Sequence, residues 1–262
     1  MQFPYTIVIP SYQRPTIVRD RTLAMCERYG VPKEQIIIFL ATDDPCLPEY
    51  KTLFADVYRV VEGPVGLCNM RNFITDYFPE GSRLLSMDDD LEGLFELNED
   101  PSHPLESCKR YPLKEMTSVK FHTWILDAWS KLGDGGGMFG IYPVKNGFFM
   151  KDLHVLDEVK VRFCVGAFWG AVNCKSIRIT MDEKEDFERT LKFAASGHHV
   201  HRWNHVTLKT KFYKNQGGMQ AAGQADRKAA SEASCNLLAD MFPGLCRIYR
   251  GKKNGMTEVR IT

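Results

Sequence analysis

The strongest constraint in this chain is a rhythm in its first ninety residues. Short apolar runs rich in β-branched side chains alternate with segments whose apolar residues recur at helical spacing. A run that is apolar at every position leaves no face for water, so it belongs in a parallel strand covered on both sides. Strand and helix in alternation, a doubly wound α/β layer, provide that cover. Thr6-Ile7-Val8-Ile9-Pro10 is the first such run. Pro15 suits a first helical turn, and Val18, Thr22, Met25 and Tyr29 follow at helical spacing until Gly30 and Pro32 stop the helix. Ile36 to Ala41 is a second strand, running into Thr42-Asp43-Asp44-Pro45, and Val57 to Val61 is a short third. After the turn Gly63 to Gly66, the residues Leu67, Met70, Ile74 and Tyr77 mark another amphipathic helix. Arg83 to Met87 is then a strand that ends in Asp88, Asp89 and Asp90.

In an open α/β sheet ligands gather beyond the carboxyl ends of the strands. Three polar clusters are therefore expected on one edge: Ser11 to Arg14, Asp43 with Asp44, and Asp88 to Asp90. The second part of the chain is less regular. Asn98 to Pro112 reads as a loop, Ser118 to Leu132 as a helix ended by Gly133, and Asp134 to Gly137 as a turn. Gly140 to Met150 and Val161 to Val172 are expected strands, and Asp182 to Ala195 a charged helix. A histidine-rich stretch from His198 to His205, a strand from Val206 to Tyr213, a Gly-rich segment from Gly217 to Gly223 and a helix from about Asp226 to Phe242 follow.

Composition narrows the class further. A chain of 262 residues that is 44% hydrophobic and 26% charged can bury a sizeable core, which excludes a disordered tail and a disulfide-stapled mini-protein. Its apolar runs are far shorter than the roughly 20 residues of a membrane span. The opening Met1-Gln2-Phe3-Pro4-Tyr5 lacks the marks of a leader peptide, so a cytoplasmic location is expected. Eight scattered cysteines without a Cys-x-x-Cys pair read as reduced thiols. The net charge of +1 hides an asymmetry: from Phe187 onward there are 13 Lys/Arg against 5 Asp/Glu. Such a basic third could meet a polyanion, or serve nucleotide phosphates and an ordinary surface.

The aspartate triplet carries the sharpest chemical signal. Three carboxylates repel one another, and they persist at a sheet edge when a cation or hydrogen-bond donors offset the charge. Magnesium and manganese prefer such hard oxygen ligands, take one or two carboxylates, and leave room for water and substrate phosphates. Arg71-Asn72 lies on the helix after the Gly63 to Gly66 turn, where Arg71 could reach a phosphate or hold the aspartates.

Thr6-Ile-Val-Ile-Pro-Ser-Tyr-Gln-Arg14, Asp43-Asp44, Gly66-Leu-Cys-Asn-Met-Arg-Asn72 and Leu85-Ser-Met-Asp-Asp-Asp90 occur in that order. This series resembles the nucleotide-sugar-binding half of GT-A glycosyltransferases, where an Asp-x-Asp motif holds metal and sugar nucleotide. Within that superfamily the chain looks most like the TET/JBP-associated glycosyltransferases, phage-encoded enzymes that modify hydroxymethylpyrimidines in DNA. The Lys214-Asn-Gln-Gly-Gly218 segment adds to that likeness. The resemblance covers roughly residues 5 to 215. It implies a single α/β domain, a Rossmann-like GT-A mixed sheet flanked by helices. Residues 1–97 would form the nucleotide-sugar half, 98–215 the acceptor half, and 216–262 a mobile Gly-rich segment and C-terminal helix. It also implies Mn2+ or Mg2+, a UDP-sugar donor and DNA bearing hydroxymethylated pyrimidines as acceptor, and leaves oligomeric state open.

Residue by residue, the resemblance has Pro10, Ser11, Tyr12 and Arg14 line base and ribose, with Asp43 or Asp44 near the base. Asp88 would face the ribose and Asp90 the metal, with Asp89 also at the nucleotide; three aspartates permit more than one Asp-x-Asp frame. Arg71 would touch the diphosphate or brace the acidic loop. Glu185-Asp186 matches the acceptor-side acidic pair, which makes Asp186 the general base. Glu185, Trp169 and Gly170 would meet the acceptor, and His205 would complete the metal shell. Gly217-Gly218 with Arg227 and Lys228 could close over the diphosphate. Other acceptors, such as a polysaccharide, a lipid or a protein, fit the same fold. A nucleotidyltransferase or a non-catalytic nucleotide or DNA-binding module is the rival of another class. The lack of a Gly-rich, Lys-bearing loop near residues 10–20 argues against the nucleotidyltransferase.

Overall fold

The structure, a computed structural model, describes residues 5–98, 112–133, 135–150, 161–210, 224–250 and 257–262, with backbone alone for 224–227. The Lys214–Gly218 and Gly217–Gly223 segments, the side chain of Arg227, Cys108 and nearly all of the expected 98–112 loop lie outside the described residues.

The parallel strands form as their composition requires. β1 (Thr6–Ser11), β2 (Ile36–Ala41), β3 (Arg59–Gly63) and β4 (Arg83–Met87) lie side by side in the order β3-β2-β1-β4, all parallel. β2 is buried at all six positions. Its residues alternate between two cores: Ile36, Ile38 and Leu40 face one, while Ile37, Phe39 and Ala41 face the other. Helical segments α1 (Pro15–Val18) and α2 (Ala24–Arg28), joined by a π turn over Arg19–Leu23, cover the first core together with α3 (Leu47–Phe54). α4 (Leu67–Tyr77) covers the second with Met70 and Ile74.

The sheet continues through β8, β7, β9, β5 and β6 to nine strands among the described residues. These are β5 (Gly93–Leu97), β6 (Leu113–Glu115), β7 (Gly137–Tyr142), β8 (Phe168–Val172) and β9 (His199–Lys209). β8 runs antiparallel to both β4 and β7, and β9 is parallel to β7. The carboxyl ends of β1 to β4, β7 and β9 therefore share one edge with the start of β8. α5 (Ser118–Leu132) packs Phe121, Trp124, Ile125 and Trp129 on the larger core. α6 (Gly147–Met150) and α7 (Glu185–Ala195) follow, and α8 (Gln224–Met241) packs with the hairpin β10 (Cys246–Tyr249) and β11 (Glu258–Ile261). The mixed α/β sheet flanked by helices is the fold class that the sequence predicts.

Several boundaries differ for local reasons. The third strand starts at Arg59 rather than Val57, because Val57 and Tyr58 spend their amides on the Phe54 carbonyl at the end of α3. Gly140 to Met150 is not one strand: β7 ends at Tyr142 before Pro143, and Asn146 Oδ1 accepts from the Phe148 amide to start the turn of α6. Of the expected strand Val161 to Val172 only Phe168 onward pairs. The charged helix begins at Glu185, after Lys184 with a left-handed φ of 64°. The histidine-rich stretch is itself most of β9. The seven described cysteines are free.

Candidate functional site

The shared edge brings the three acidic and polar clusters together. Thr22, on the π turn, donates to the Asp88 carbonyl at 2.7 Å and accepts from the Leu91 amide at 2.9 Å, so the acidic loop is fixed from beneath. The Asp88 amide bonds the Ala167 carbonyl at 2.9 Å. Asp89 is buried, accepting from Ser11 Oγ at 2.6 Å and from Arg14 Nη1 at 3.1 Å, so both of its oxygens have protein partners and it ties the loop to β1. The same Arg14 Nη1 lies 4.0 Å from Asp90 Oδ2, whereas Asp88 meets Arg71.

Asp88 keeps 41% of its side-chain surface accessible and meets Arg71 Nη2 at 3.2 Å. Desolvation raises its pKa to about 7; Arg71 opposes the rise, whereas Asp90 and Asp89 add to it. With that much surface open to water the desolvation is partial, and its acidic neighbours Asp89 and Asp90 push the pKa in the same upward direction. Asp90 accepts from Thr210 Oγ1 at 2.8 Å, at the end of β9. Arg71 itself is buried, its pKa lowered by desolvation, and it donates to Ser86 Oγ at 2.5 Å. It braces the acidic loop from α4.

The first loop is equally restrained. Tyr50, from α3, places its hydroxyl 2.6 Å from Ser11 Oγ and accepts from the Arg14 amide at 2.8 Å. Asp44 is buried and accepts from the amides of Gln13, at 2.7 Å, and Cys46, at 2.8 Å. It holds the β1 loop, in which Gln13 takes a left-handed φ of 57°, and is not open to a base; Asp43 beside it is exposed. Pro10 pairs with Phe39 in the sheet, and Tyr12 is half-buried against the core under α4.

Asp186 lies in the first turn of α7 and accepts from the Gly166 amide at 3.2 Å and the Phe187 amide at 2.9 Å. Desolvation raises its pKa against those amide bonds and the charge of Lys184. The same Gly166 offers its carbonyl to Arg71 at 3.5 Å, so one peptide stands between the acidic loop and Asp186. A Cβ on Gly166 would sit 2.9 Å from Glu185 Oε1 and 3.3 Å from Asp186 Cβ, so a side chain there would have to push the start of α7 aside.

The residues expected at the acceptor and the metal have other partners in this structure. Glu185 is 5% exposed and ion-paired to Arg189. Trp169 has the Arg189 guanidinium 3.9 Å from its ring centroid, so that face is taken. Gly170 is inside the sheet, where a Cβ would meet the Phe139 ring at 2.3 Å. His205 lies in the irregular part of β9, its ring 5.5 Å from that of Trp203, whereas the residue bonded to Asp90 is Thr210, just after β9.

Among the described residues no group of three His, Cys, Asp or Glu could hold a metal by itself. Asp88 and Asp90 still suit a hard divalent cation, which takes one or two carboxylates and fills its shell with water and phosphate oxygens. Sequence reasoning did not find Tyr50, Thr22 or Thr210. Tyr50 and Thr22 look like apolar-face helix positions in the sequence, and their polar role depends on loops that are distant in the chain.

No protein-family model matches the chain, and no curated protein matches it. Solved structures do. The Staphylococcus aureus TarS 1–349 fragment in complex with UDP-GlcNAc superposes with a TM-score of 0.55 at 9% identity, over 91% of this chain and 66% of that one. The chain thus spans just under two thirds of that fragment. A mycobacterial protein superposes with a TM-score of 0.51 at 12% identity, over 98% of this chain and 83% of that one. No helix among the described residues is long and apolar enough to cross a membrane. At such identities the likeness establishes the architecture: this chain has the GT-A-type mixed α/β fold.

Proposed function

We propose that the chain is a metal-dependent, inverting glycosyltransferase that moves a sugar from a UDP-sugar to the hydroxyl of a hydroxymethylpyrimidine in DNA. The observation that carries the reading is the shared Gly166 peptide. It holds Asp186 on one side and meets the Arg71 brace of Asp88 on the other, so a leaving-group site and a base face one gap. TarS, whose fold the chain shares, is bound to UDP-GlcNAc, which favours a uridine donor. The basic third from Phe187 onward suits a polyanionic acceptor.

Asp88 and Asp90 would hold the cation, which when bound supplies Lewis-acid stabilisation to the departing diphosphate. The protein's own residues supply the rest. Arg71 keeps Asp88 oriented, and Asp89, Ser11 and Tyr50 keep the acidic loop docked on β1. Asp186 takes the proton from the acceptor hydroxyl as that oxygen bonds the sugar, on the face opposite the leaving group. A base inside a duplex would have to be flipped out to reach it.

The test incubates the protein with Mn2+, a panel of UDP-sugars and hydroxymethylated DNA, and weighs the digested nucleosides. A hexose or pentose added to the hydroxymethylated base supports the reading. Transfer to glycan, lipid or protein acceptors with unaltered DNA would overturn the acceptor and leave the donor chemistry standing. Pyrophosphate release from a nucleoside triphosphate would replace the reading with nucleotidyl transfer.

A further inference from the structure

α7 buries three charged side chains, Glu185, Glu188 and Arg189, at 5%, 0% and 3% exposure. Glu188 is accounted for by the preceding loop, since it accepts from the Thr180 amide at 2.8 Å, from Thr180 Oγ1 at 2.6 Å and from Lys192 Nζ at 2.7 Å. Arg189 has no such structural duty. Its terminal nitrogens are buried and meet no acceptor among the described residues other than Glu185, with which it is ion-paired. Its guanidinium stacks on Trp169, and Trp169 stands opposite Ser86 in the β4–β8 register. Ser86 in turn accepts from Arg71. Glu185 faces Arg71 as well, with Oε1 3.9 Å from Nε, an atom that has no hydrogen-bond partner. Two buried guanidinium groups thus share one carboxylate and one aromatic ring.

A second buried arginine beside the first is electrostatically adverse, and each lowers the comfort of the other in a place with little water. It is tolerated because Glu185 sits between them. Glu185 thus borders Arg71 as well as Arg189, and Arg71 touches both Asp88 and the Gly166 carbonyl. Resting on the glycosyltransferase reading above, we infer that Arg189 is a positioning residue that acts through Glu185 and Arg71. It aligns Asp88, on the donor side, with the Gly166 peptide that holds Asp186, on the acceptor side. Trp169 then serves as the platform for Arg189 and not as an acceptor contact. A planar, delocalised cation is required, because a lysine restores charge without the stack or the fork toward Glu185.

The experiment compares wild type with Arg189→Met and Arg189→Lys, well below each variant's melting temperature. It reads Mn2+-dependent UDP affinity by calorimetry, and kcat. Misplacement of aligned groups by a fraction of an ångström is expected to lower kcat about ten-fold or more and to weaken UDP binding several-fold in Arg189→Met. Arg189→Lys should fall between the two, and should add little to Arg71→Lys in a double-mutant cycle. If either variant folds with a lower melting temperature but wild-type kcat and UDP affinity, Arg189 is only structural and the inference is wrong. Should Arg189→Met fail to fold, Arg189→Lys alone decides. A wild type that binds no UDP with Mn2+ overturns the glycosyltransferase reading instead, which keeps the two failures apart.

Discussion

The acidic loop, through Arg71, and Asp186 both meet the Gly166 peptide, yet they are held in different ways. Asp88 to Asp90 are gripped by side chains from several elements: Ser11 and Arg14 after β1, Thr22 on the π turn, Arg71 on α4 and Thr210 after β9. Asp186 rests on two backbone amides, that of Phe187 in the first turn of α7 and that of Gly166 before β8. A cation site needs fixed oxygens, so rigidity is built from many buried polar bonds. A base needs only to be aimed and kept off the helix dipole's demands, and the first turn of a helix provides amides for that without further side chains. The difference assigns most of the stability cost of mutation to the donor side and most of the purely chemical cost to the acceptor side.

Asp186→Asn should sharpen that contrast most. Loss of a general base is expected to lower kcat by about 10² to 10⁴-fold. UDP affinity should stay near wild type, while the melting temperature falls modestly, because the single amide oxygen can accept from only one of the Gly166 and Phe187 amides, which donate to different oxygens of Asp186. Rate, calorimetry and thermal melts on one preparation check it. Arg71→Leu lies on the other side: it strands Asp88 and leaves Glu185 with Arg189 alone, and breaking such a buried set costs about 3–5 kcal/mol. Urea unfolding measures it, and a loss below about 1 kcal/mol would show that the brace is not one.

A pH series probes the same contrast without mutation. Asp88 is raised from 3.8 to about 7, so its contribution to stability is fully present below about 4 and is lost as pH rises through about 7. The metal-free protein should therefore gain from this group as pH falls from 8 to 6. Mn2+-dependent UDP binding should weaken over the same window, because the cation needs the ionised form. Melting curves with and without Mn2+ and UDP read the two opposite slopes. The smallest effect separates neighbours: Asp44→Ala, which frees the Gln13 and Cys46 amides, should cost about 1–3 kcal/mol. Exposed Asp43→Ala should stay within about 0.5 kcal/mol.

The first ninety residues were legible in the sequence because their physics is local. Ile36 to Ala41 is buried on both faces and reads so; later in the chain, Ser118–Leu132 is the helix expected there, at both ends. The Asp88–Asp90 loop was found for the same reason, being charge at a strand end. Which aspartate turns inward was not, since that depends on Ser11 and Arg14, more than seventy residues away. The acceptor half was harder. Along the start of β9 polar and apolar residues mix on both faces, His199 and His201 with Trp203 on one and Arg202 and Asn204 with Val200 on the other, so the period-2 signal of a strand is hidden by composition. Glu185, Trp169 and Gly170 carry residue types common at acceptor sites, but burial directs each toward another side chain: Arg189, Arg189 and Phe139.

The central claim is that Asp88 and Asp90 hold a divalent cation together with a nucleoside diphosphate. Titrating UDP into the protein with Mn2+, and again with the metal chelated, tests it directly, with Asp90→Ala as the third arm. The account predicts binding with Mn2+ and its loss in both other arms. Equal affinity for UDP with and without the metal, unchanged by Asp90→Ala, would contradict it.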